Sequence, residues 1–274
     1  MTIDIIKRNN VRIFGEGIIP MVFAHGFGCD QNMWRYITPS FEKDYKIILF
    51  DYVGCGKSDI NSYDDTRYSS LKGYAQDIID VCNALHIKQA ILVAHSVSCM
   101  VGILSEIINP GLFSCLLMIG PSSRYVDDEN YFGGFSKSDI QELLITMDKN
   151  YIGWANYLAP AIMGNPERPE LGEELNSSFC STDPKLARKF AEVTFLSDNR
   201  KDLEQVHIPT LIMQCADDII ASEKVGEFIH QKIGNSKLVY LNAKGHCPHL
   251  SEPGETITVI KEFLKDLDLP EIYE

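Results

Sequence analysis

The chain has 274 residues, of which 45% are hydrophobic and 23% charged, and its formal net charge is −13. This balance predicts a soluble protein whose length allows one large domain carrying an insertion. The negative charge argues against nucleic acid and anionic membranes as partners, because their phosphates would repel it. We find no apolar run near the ~20 residues that span a bilayer and no signal-peptide pattern in the first ten residues. We therefore expect a cytoplasmic protein.

Up to about Pro121, short apolar runs alternate with segments of helix length, which is typical of a parallel sheet whose strands are joined by helices. The runs predict strands that end near Ala24, Asp51, Ala94 and Gly120. Residues 69–86 place apolar side chains at helical spacing and predict a helix.

Between residues 122 and 205 the strand-like runs give way to amphipathic helices. We predict helices over residues 138–150 and 183–197, the second with Asp183 as N-cap and Pro184 at its first position. Pro160, Pro166 and Pro169 are expected to break the part between them into separate pieces.

The alternation of short apolar runs with segments of helix length resumes near Ile208. It predicts strands over residues 210–216 and 237–241 and a last helix over residues 256–267. The sequence therefore predicts an α/β core made of residues 1–121 and 206–274, interrupted by a helical insertion of residues 122–205.

The strand that ends at Ala94 leads into the most informative segment of the chain. Ser96 is flanked two positions away by the small residues Ala94 and Ser98, and helix-compatible residues follow. This order is typical of a nucleophile elbow, whose flanking residues are small because strand and helix backbones come close together. Since Ala94 and Ser98 replace the glycines of the usual G-x-S-x-G, and serine is also a common helix N-cap, the segment alone leaves both interpretations open.

Two later strands each end beside a residue that could assist a nucleophilic serine. Asp217 and Asp218 follow the strand of residues 210–216, while His246 and His249 follow the strand of residues 237–241. Functional residues of open α/β sheets gather at the carboxyl ends of the strands, and the order serine, acid, histidine is the one that an elbow serine requires. We favour His246, which follows Gly245, and expect His249 and His95 to be structural.

A glycine-flanked turn follows the first predicted strand. Gly26 and Gly28 surround Phe27, and this freedom of the backbone allows the Phe27 N–H to face the nucleophile. The N–H of Val97, directly after the serine, would be the second donor of an oxyanion hole. The alternative is an ordinary Gly-rich turn between strand and helix.

The eight cysteines include no C-x-x-C pair, and Cys82, Cys99, Cys115 and Cys215 fall inside apolar strand or helix patterns. We expect free thiols in a reducing compartment. Three further cysteines lie in predicted loops near the site and are candidates for reactive thiols: Cys29, Cys55 and Cys247. Cys247 and His249 flank Pro248 without a second pair of ligands, so no metal and no other cofactor is expected.

Five segments taken together (residues 25–34, 49–59, 151–155, 179–184 and 245–251) resemble the α/β-hydrolase family over nearly the whole chain. Within it they are similar to the RsbQ-type bacterial stress-response regulators, whose plant relatives are karrikin and strigolactone receptors. The resemblance implies an α/β-hydrolase fold: a mostly parallel central sheet, helices on both faces, and a helical cap between the sixth and seventh strands. Ser222 departs from the proline that many members carry.

For the site, the resemblance favours Asp218, because the family places its acid four positions before a helix-opening residue, here Ser222. The implied triad is Ser96, Asp218 and His246, with Phe27 and Val97 supplying the oxyanion hole. The pocket beneath the cap is expected to be lined by Phe27, Phe135, Trp154 and Phe195.

The implied activity is that of a serine hydrolase acting on a small hydrophobic ester or lactone-like compound. The resemblance also implies a positive regulator of the energy-stress response of a general-stress sigma factor, acting with a separate phosphatase partner. The alternative is a small-molecule receptor of the karrikin or strigolactone type, in which turnover is incidental.

Overall fold

A computed structural model describes residues 3–267, which form a seven-stranded sheet in the order β1-β3-β2-β4-β5-β6-β7. The strands are β1 (Arg12–Phe14), β2 (Ile19–Ala24), β3 (Tyr45–Leu49), β4 (Ala90–His95), β5 (Phe113–Ile119), β6 (Thr210–Ala216) and β7 (Ser236–Lys244). Strand β1 pairs antiparallel with β3, and the other neighbours are parallel. The mostly parallel sheet that the sequence predicts is confirmed.

The helices are α1 (Ile5–Arg8), α2 (Leu71–Ala84), α3 (Val97–Ile108), α4 (Lys137–Lys149), α5 (Tyr151–Met163), α6 (Pro169–Ser181), α7 (Pro184–Phe195), α8 (Glu223–Lys232), α9 (Pro248–Ser251) and α10 (Pro253–Lys265). No helix within residues 3–267 has the length and apolar character needed to cross a membrane.

Successive residues of the central strands pack into two different apolar clusters. Met21 and Phe23 of β2 belong to one cluster together with α10, whereas Val22 and Ala24 belong to the other together with α2, α3 and α8. Because both faces of the sheet are covered at its centre, the central strands have to be apolar at nearly every position, which explains the continuous runs in the sequence.

Several element bounds differ from those predicted. Helix α2 is shorter than residues 69–86, α10 begins at Pro253 instead of residue 256, and β7 continues to Lys244. The N-cap prediction is confirmed, since the Asp183 side chain accepts hydrogen bonds from the N–H groups of Lys185 and Leu186.

Four helices, α4 to α7, lie between β5 and β6. Counted over the described residues, five strands precede the insertion, one fewer than the family's own strand numbering implies. The chain before β1 forms helix α1 and adds no further strand there. An isolated bridge joins Arg124 to Asp198 near the two ends of this segment, while the bounds 122 and 205 stay a prediction.

The prediction that Pro160 breaks a helix is wrong, because Pro160 lies inside α5. It occupies the last turn, where the missing proline N–H removes one hydrogen bond near the helix end. Gly164 ends the helix with φ 64° and donates its N–H to the Pro160 carbonyl. Pro166 falls between α5 and α6, and Pro169 is the first residue of α6.

Candidate active site

Ser96 lies between β4 and α3 with φ 57° and ψ −127°, a backbone conformation that is strained for any residue except glycine. The Ser96 N–H donates to the Ile119 carbonyl at 2.8 Å, which ties the turn to β5. On the helix side, the Ser98 hydroxyl donates to the His25 carbonyl at 2.5 Å. These contacts hold the sharp strand-to-helix turn that the sequence predicts at this serine.

His246 joins Ser96 to Asp218. Its Nε2 lies 2.7 Å from Ser96 Oγ, and its Nδ1 lies 2.7 Å from Asp218 Oδ2. The other carboxylate oxygen, Oδ1, accepts the N–H groups of Ile220 and Ala221 at 2.8 and 3.0 Å. Because an ionised Asp218 only accepts hydrogen bonds, Nδ1 carries the imidazole proton. Nε2 is then free to accept the Ser96 hydroxyl proton.

The neighbouring candidates lie elsewhere. Asp217 is exposed, and its φ of 54° turns the chain so that Asp218 enters the site. His249 is buried with its ring centroid 4.9 Å from that of Trp34. His95 lies beneath the site, where its Nε2 is 2.8 Å from the carbonyl oxygen of His246.

Two glycines allow these groups to approach each other. A Cβ on Gly120, whose φ is +57°, would stand 3.0 Å from His246 Cε1. A Cβ on Gly26 would stand 2.6 Å from His95 Nδ1 and 3.3 Å from Ser96 Cβ. The loop after β2 therefore packs directly on the turn that carries Ser96.

Two amide groups near Ser96 have no intramolecular acceptor within residues 3–267. Val97 is the first residue of α3, so its N–H precedes the helical hydrogen-bond ladder, and Phe27 lies in the loop that Gly26 brings against Ser96. A developing negative charge beside Ser96 Oγ would find these donors together with the positive end of the α3 dipole.

A cavity of about 30 Å³ opens beside Ser96, which is room for one or two water molecules. Apart from Ser96 and His246 it is bordered by Phe27, Cys29, His95, Tyr125, Ile162, Leu175, Phe179, Thr194, Phe195, Ile220 and Cys247. Residues of the core and of α5, α6 and α7 thus enclose it together. A substrate larger than this volume has to displace part of the wall.

Two of the four predicted pocket residues border this cavity, and two do not. Phe27 and Phe195 are in its wall. Trp154 lies one layer behind, stacked on Phe179 with centroids 5.2 Å apart, and contacts Phe27 edge-on at 6.2 Å. Phe135 is half-buried and bridges Val126. For Phe135 and Trp154 the role as pocket residues therefore stays a prediction, with Trp154 reaching the cavity only through Phe27 and Phe179.

Tyr125 and Thr194, for which the sequence predicted no site role, bring polar atoms to the cavity. The Tyr125 hydroxyl and Thr194 Oγ1 are buried and lack a hydrogen-bond partner among the described residues. Burial raises the pKa of the Tyr125 phenol, and the nearby Ser96 hydroxyl lowers it by a smaller amount. Tyr125 follows the end of β5 by a few residues, and this position at the carboxyl edge of the sheet is the sequence feature by which it can be found.

The three cysteines that were candidates for reactive thiols, Cys29, Cys55 and Cys247, lie in surroundings that make a thiol unreactive. All are buried, and burial raises the pKa of Cys29 to about 12 and that of Cys55 and Cys247 well above the ordinary value. Since the thiolate is the reactive form, these side chains are poor nucleophiles. Every cysteine of the chain is free.

The fold and the serine turn define an α/β-hydrolase. The Alpha/beta hydrolase family matches residues 21–259, and the chain belongs to this family.

Similar proteins include both receptors and enzymes. A karrikin insensitive 2 receptor of Petunia hybrida is 35% identical over 93% of this chain and 94% of the receptor. A strigolactone esterase of Arabidopsis thaliana is 34% identical over 95% of this chain and 98% of the esterase. Among solved structures, a hydrolase from Oleispira antarctica is 44% identical with a TM-score of 0.94, covering 96% of this chain and 97% of that one.

Proposed function

We propose that the protein is a serine hydrolase in which Ser96 is the nucleophile, His246 the general base and Asp218 the residue that orients it. The observation that carries this proposal is the continuous pair of 2.7 Å contacts from Ser96 Oγ through the His246 ring to Asp218. A hydroxyl is a weak nucleophile until an adjacent base takes its proton, and this arrangement places the base within reach.

In the first step Ser96 Oγ attacks the carbonyl carbon of the substrate while its proton passes to His246 Nε2. The carbonyl oxygen becomes an oxyanion, which the N–H groups of Phe27 and Val97 stabilise, each by roughly 3 kcal/mol in comparable sites. Asp218 stabilises the imidazolium across the Nδ1 contact. When the carbon–oxygen bond to the alcohol breaks, His246 donates the proton to that alcohol.

In the second step a water molecule hydrolyses the acyl-serine. His246 Nε2 takes one proton of this water, the remaining hydroxide adds to the carbonyl carbon, and the tetrahedral intermediate collapses to the free acid. The proton returns from His246 to Ser96 Oγ. The chain thereby regains its starting state.

The cavity favours a small, mainly hydrophobic ester or lactone as substrate. Its wall consists mostly of aromatic and aliphatic side chains, and the lining side chains with an unpaired polar atom among the described residues, outside the reacting residues, are Tyr125, Thr194 and His95. Such a site holds a ligand by shape and positions it with few hydrogen bonds. A charged substrate would lose its hydration without finding a partner.

Labelling with a fluorophosphonate probe tests this proposal. We expect one label per chain, on Ser96, and none in the Ser96→Ala variant. The matched control is Ser98→Ala, which removes a hydroxyl two residues away and should keep the label. A wild-type chain that resists the probe, or a label on another residue, contradicts the proposal.

A receptor function is the second candidate, because one of the similar proteins is named as a karrikin insensitive 2 receptor. In a receptor the ligand would be bound by the same cavity, and closure of the wall over it would transmit the signal. Ser96→Ala should then still bind the ligand, with a raised melting temperature, and should keep its signalling activity.

The signalling part of the proposal follows the sequence resemblance to RsbQ-type regulators: a cytoplasmic protein that acts with a phosphatase in activating a general-stress sigma factor. The free cysteines agree with a reducing compartment. Loss of the stress response in a Ser96→Ala strain supports signalling through hydrolysis, whereas an intact response contradicts it.

A further inference from the structure

His95 connects the two segments that carry Ser96 and His246. It is the last residue of β4, so its backbone pairs with Ile119 of β5 and leads directly into Ser96. Its side chain extends to the other segment, where Nε2 lies 2.8 Å from the carbonyl oxygen of His246. Ser96 and His246 are 150 positions apart in the sequence. A single residue therefore contacts the chain on both sides of the Ser96–His246 pair.

The contact with the His246 carbonyl determines the state of the His95 imidazole. A carbonyl oxygen only accepts hydrogen bonds, so Nε2 carries the ring proton and donates it to this oxygen. Burial lowers the pKa of His95 well below the ordinary value, and the neighbouring rings of His249 and His246 lower it further. His95 is therefore neutral at pH 7, and its one N–H is the donor to His246.

The ring of His95 has little room to move. A Cβ on Gly26 would stand 2.6 Å from Nδ1, so the loop after β2 covers this edge of the ring closely. The ring centroids of His249 and His246 lie 4.5 and 4.8 Å from that of His95. Because neighbours on several sides hold the ring, the direction of its N–H is set before a substrate binds.

The backbone of His246 is held on both sides of its Cα. Its N–H donates to the Ile162 carbonyl of α5 at 2.9 Å, and its carbonyl accepts from His95. One anchor thus belongs to the insertion and the other to the core. A buried carbonyl without a donor is costly, so loss of the His95 N–H lets the segment turn about its remaining anchor, and the imidazole of His246 moves with it.

We propose that His95 is a positioning residue for the general base, an inference that rests on the proposed function. Through the His246 carbonyl it holds the imidazole within reach of both Ser96 Oγ and Asp218, to which the two ring contacts are 2.7 Å each. A misplacement of about 1 Å can slow a reaction roughly 100-fold. The proton of His95 stays on Nε2 throughout, so His95 acts only through His246.

Replacement of His95 by the two amide residues tests this proposal. The glutamine Nε2 stands as far along the side chain as the histidine Nε2, whereas the asparagine amide ends at the level of Nδ1 and falls short of the carbonyl. We expect fluorophosphonate labelling of Ser96 to be about 10- to 100-fold slower in His95→Asn. In His95→Gln, which keeps the donor, the rate should stay within about threefold of the wild type. His95→Leu, a second variant without a donor, should react as slowly as His95→Asn.

An NMR measurement tests the position of the ring without reference to activity. The proton on His246 Nδ1 lies in the contact with Asp218, and its low-field resonance responds to the length of that contact. The resonance is assigned by its absence from His246→Gln. We expect it to move to higher field or to broaden in His95→Asn and His95→Leu, and to keep its position in His95→Gln. A residue that only supported folding would lower the melting temperature and leave this resonance in place.

The matched control is His249→Phe. His249 is a second buried histidine, 4.5 Å from His95 between ring centroids, but neither of its nitrogens has a hydrogen-bond partner among the described residues. Phenylalanine keeps an aromatic ring against Trp34. The labelling rate of Ser96 and the His246 resonance should both stay as in the wild type.

Three results overturn the assignment: an unchanged resonance in His95→Asn and His95→Leu, an equal loss in His95→Gln, or the same effect in His249→Phe. Melting curves establish which variants fold, and either variant without a donor is sufficient for the comparison with His95→Gln. If Ser96 is never labelled in the wild-type chain, the proposed function fails, while the resonance still decides whether His95 positions the ring of His246.

Discussion

The imidazole of His246 rests against the Cα of Gly120, so closely that a Cβ there would lie 3.0 Å from Cε1 and 3.1 Å from Nδ1. Gly120 directly follows β5, the neighbour of the strand that leads into the serine turn, and has φ +57°, which L side chains rarely adopt. A residue without reactive groups thus determines where the His246 ring stands.

Gly120→Ala should slow labelling of Ser96 about 10- to 100-fold, because a small displacement of a reacting group has a large effect on rate. Its positive φ should also cost about 1–2 kcal/mol of stability. Gly111→Ala is the matched control, since Gly111 has φ +85° with no atom within 4 Å of the added Cβ. Equal loss of reactivity in both variants would show that backbone strain, and not the ring contact, is responsible.

Asp218→Asn should lower the hydrolysis rate by about 10³- to 10⁴-fold, because the amide reverses the preferred imidazole tautomer and removes the charge beside the imidazolium. Asp217→Asn changes an adjacent, exposed side chain and should leave the rate within about twofold. Steady-state kinetics with a short p-nitrophenyl ester measure both variants. A larger loss of rate in Asp217→Asn than in Asp218→Asn would show that Asp217, and not Asp218, is the acid that orients His246.

Tyr125→Phe removes a buried hydroxyl that has no partner among the described residues. We expect unchanged or higher stability and a roughly 3- to 10-fold loss in kcat/KM, since a hydrogen bond to the substrate contributes about 0.5–1.5 kcal/mol. Tyr131→Phe should instead lower the stability and leave kcat/KM unchanged, because the Tyr131 hydroxyl donates a hydrogen bond to the Arg124 carbonyl at 2.8 Å. Urea unfolding and ester kinetics on both variants decide this, and a destabilised Tyr125→Phe of normal activity would refute it.

Phe195→Leu should widen the cavity and raise activity on longer acyl esters relative to acetate by about tenfold, since one methylene in an apolar pocket is worth 10- to 200-fold. The control is Phe135→Leu, which makes the same substitution away from the cavity wall. It should keep the preference of the wild-type chain between the two esters. The ratio of kcat/KM for butyrate and acetate esters is the measurement. A shift in Phe135→Leu alone would restore Phe135 as the pocket residue.

Asp198 should stabilise the helical insertion in a pH-dependent manner. Hydrogen bonds from Arg200 and then Arg124 lower the pKa of Asp198 to about 2 from an ordinary value of 3.8. The contribution of Asp198 to the free energy of unfolding is therefore complete above pH 3.8 and is lost as the pH falls through 2. Because the pair is partly exposed, we expect Asp198→Asn to cost at most about 1 kcal/mol at pH 7.

Urea unfolding at pH 7, 4 and 2 measures this contribution. The difference between Asp198→Asn and the parent should shrink towards pH 2, and 1 M salt at pH 7 should reduce it because salt screens exposed charges. A difference that is independent of both pH and salt would show that packing, and not charge, accounts for the effect.

Much of the fold was predictable because its signals are local. A strand buried on both faces needs apolar residues at every position, so its sequence shows a continuous run, as in β6, whose bounds agree with the prediction. The N-cap at Asp183 is likewise decided by a side chain and the two N–H groups next to it. Helix ends such as that of α5 were less predictable, because Pro160 lies in the last turn, where its missing N–H removes only one hydrogen bond.

The order of the chain pointed to Ser96, to His246 and to one of the two acids Asp217 and Asp218, because parallel strands deliver their carboxyl ends to one edge of the sheet. The family resemblance then favoured Asp218. Only the tertiary structure decided which groups touch. It set Phe195 in the cavity wall and Trp154 behind it, and it brought His95 to Cys247 and His249. Such contacts depend on packing between segments far apart in sequence, and no local pattern of residues records that packing.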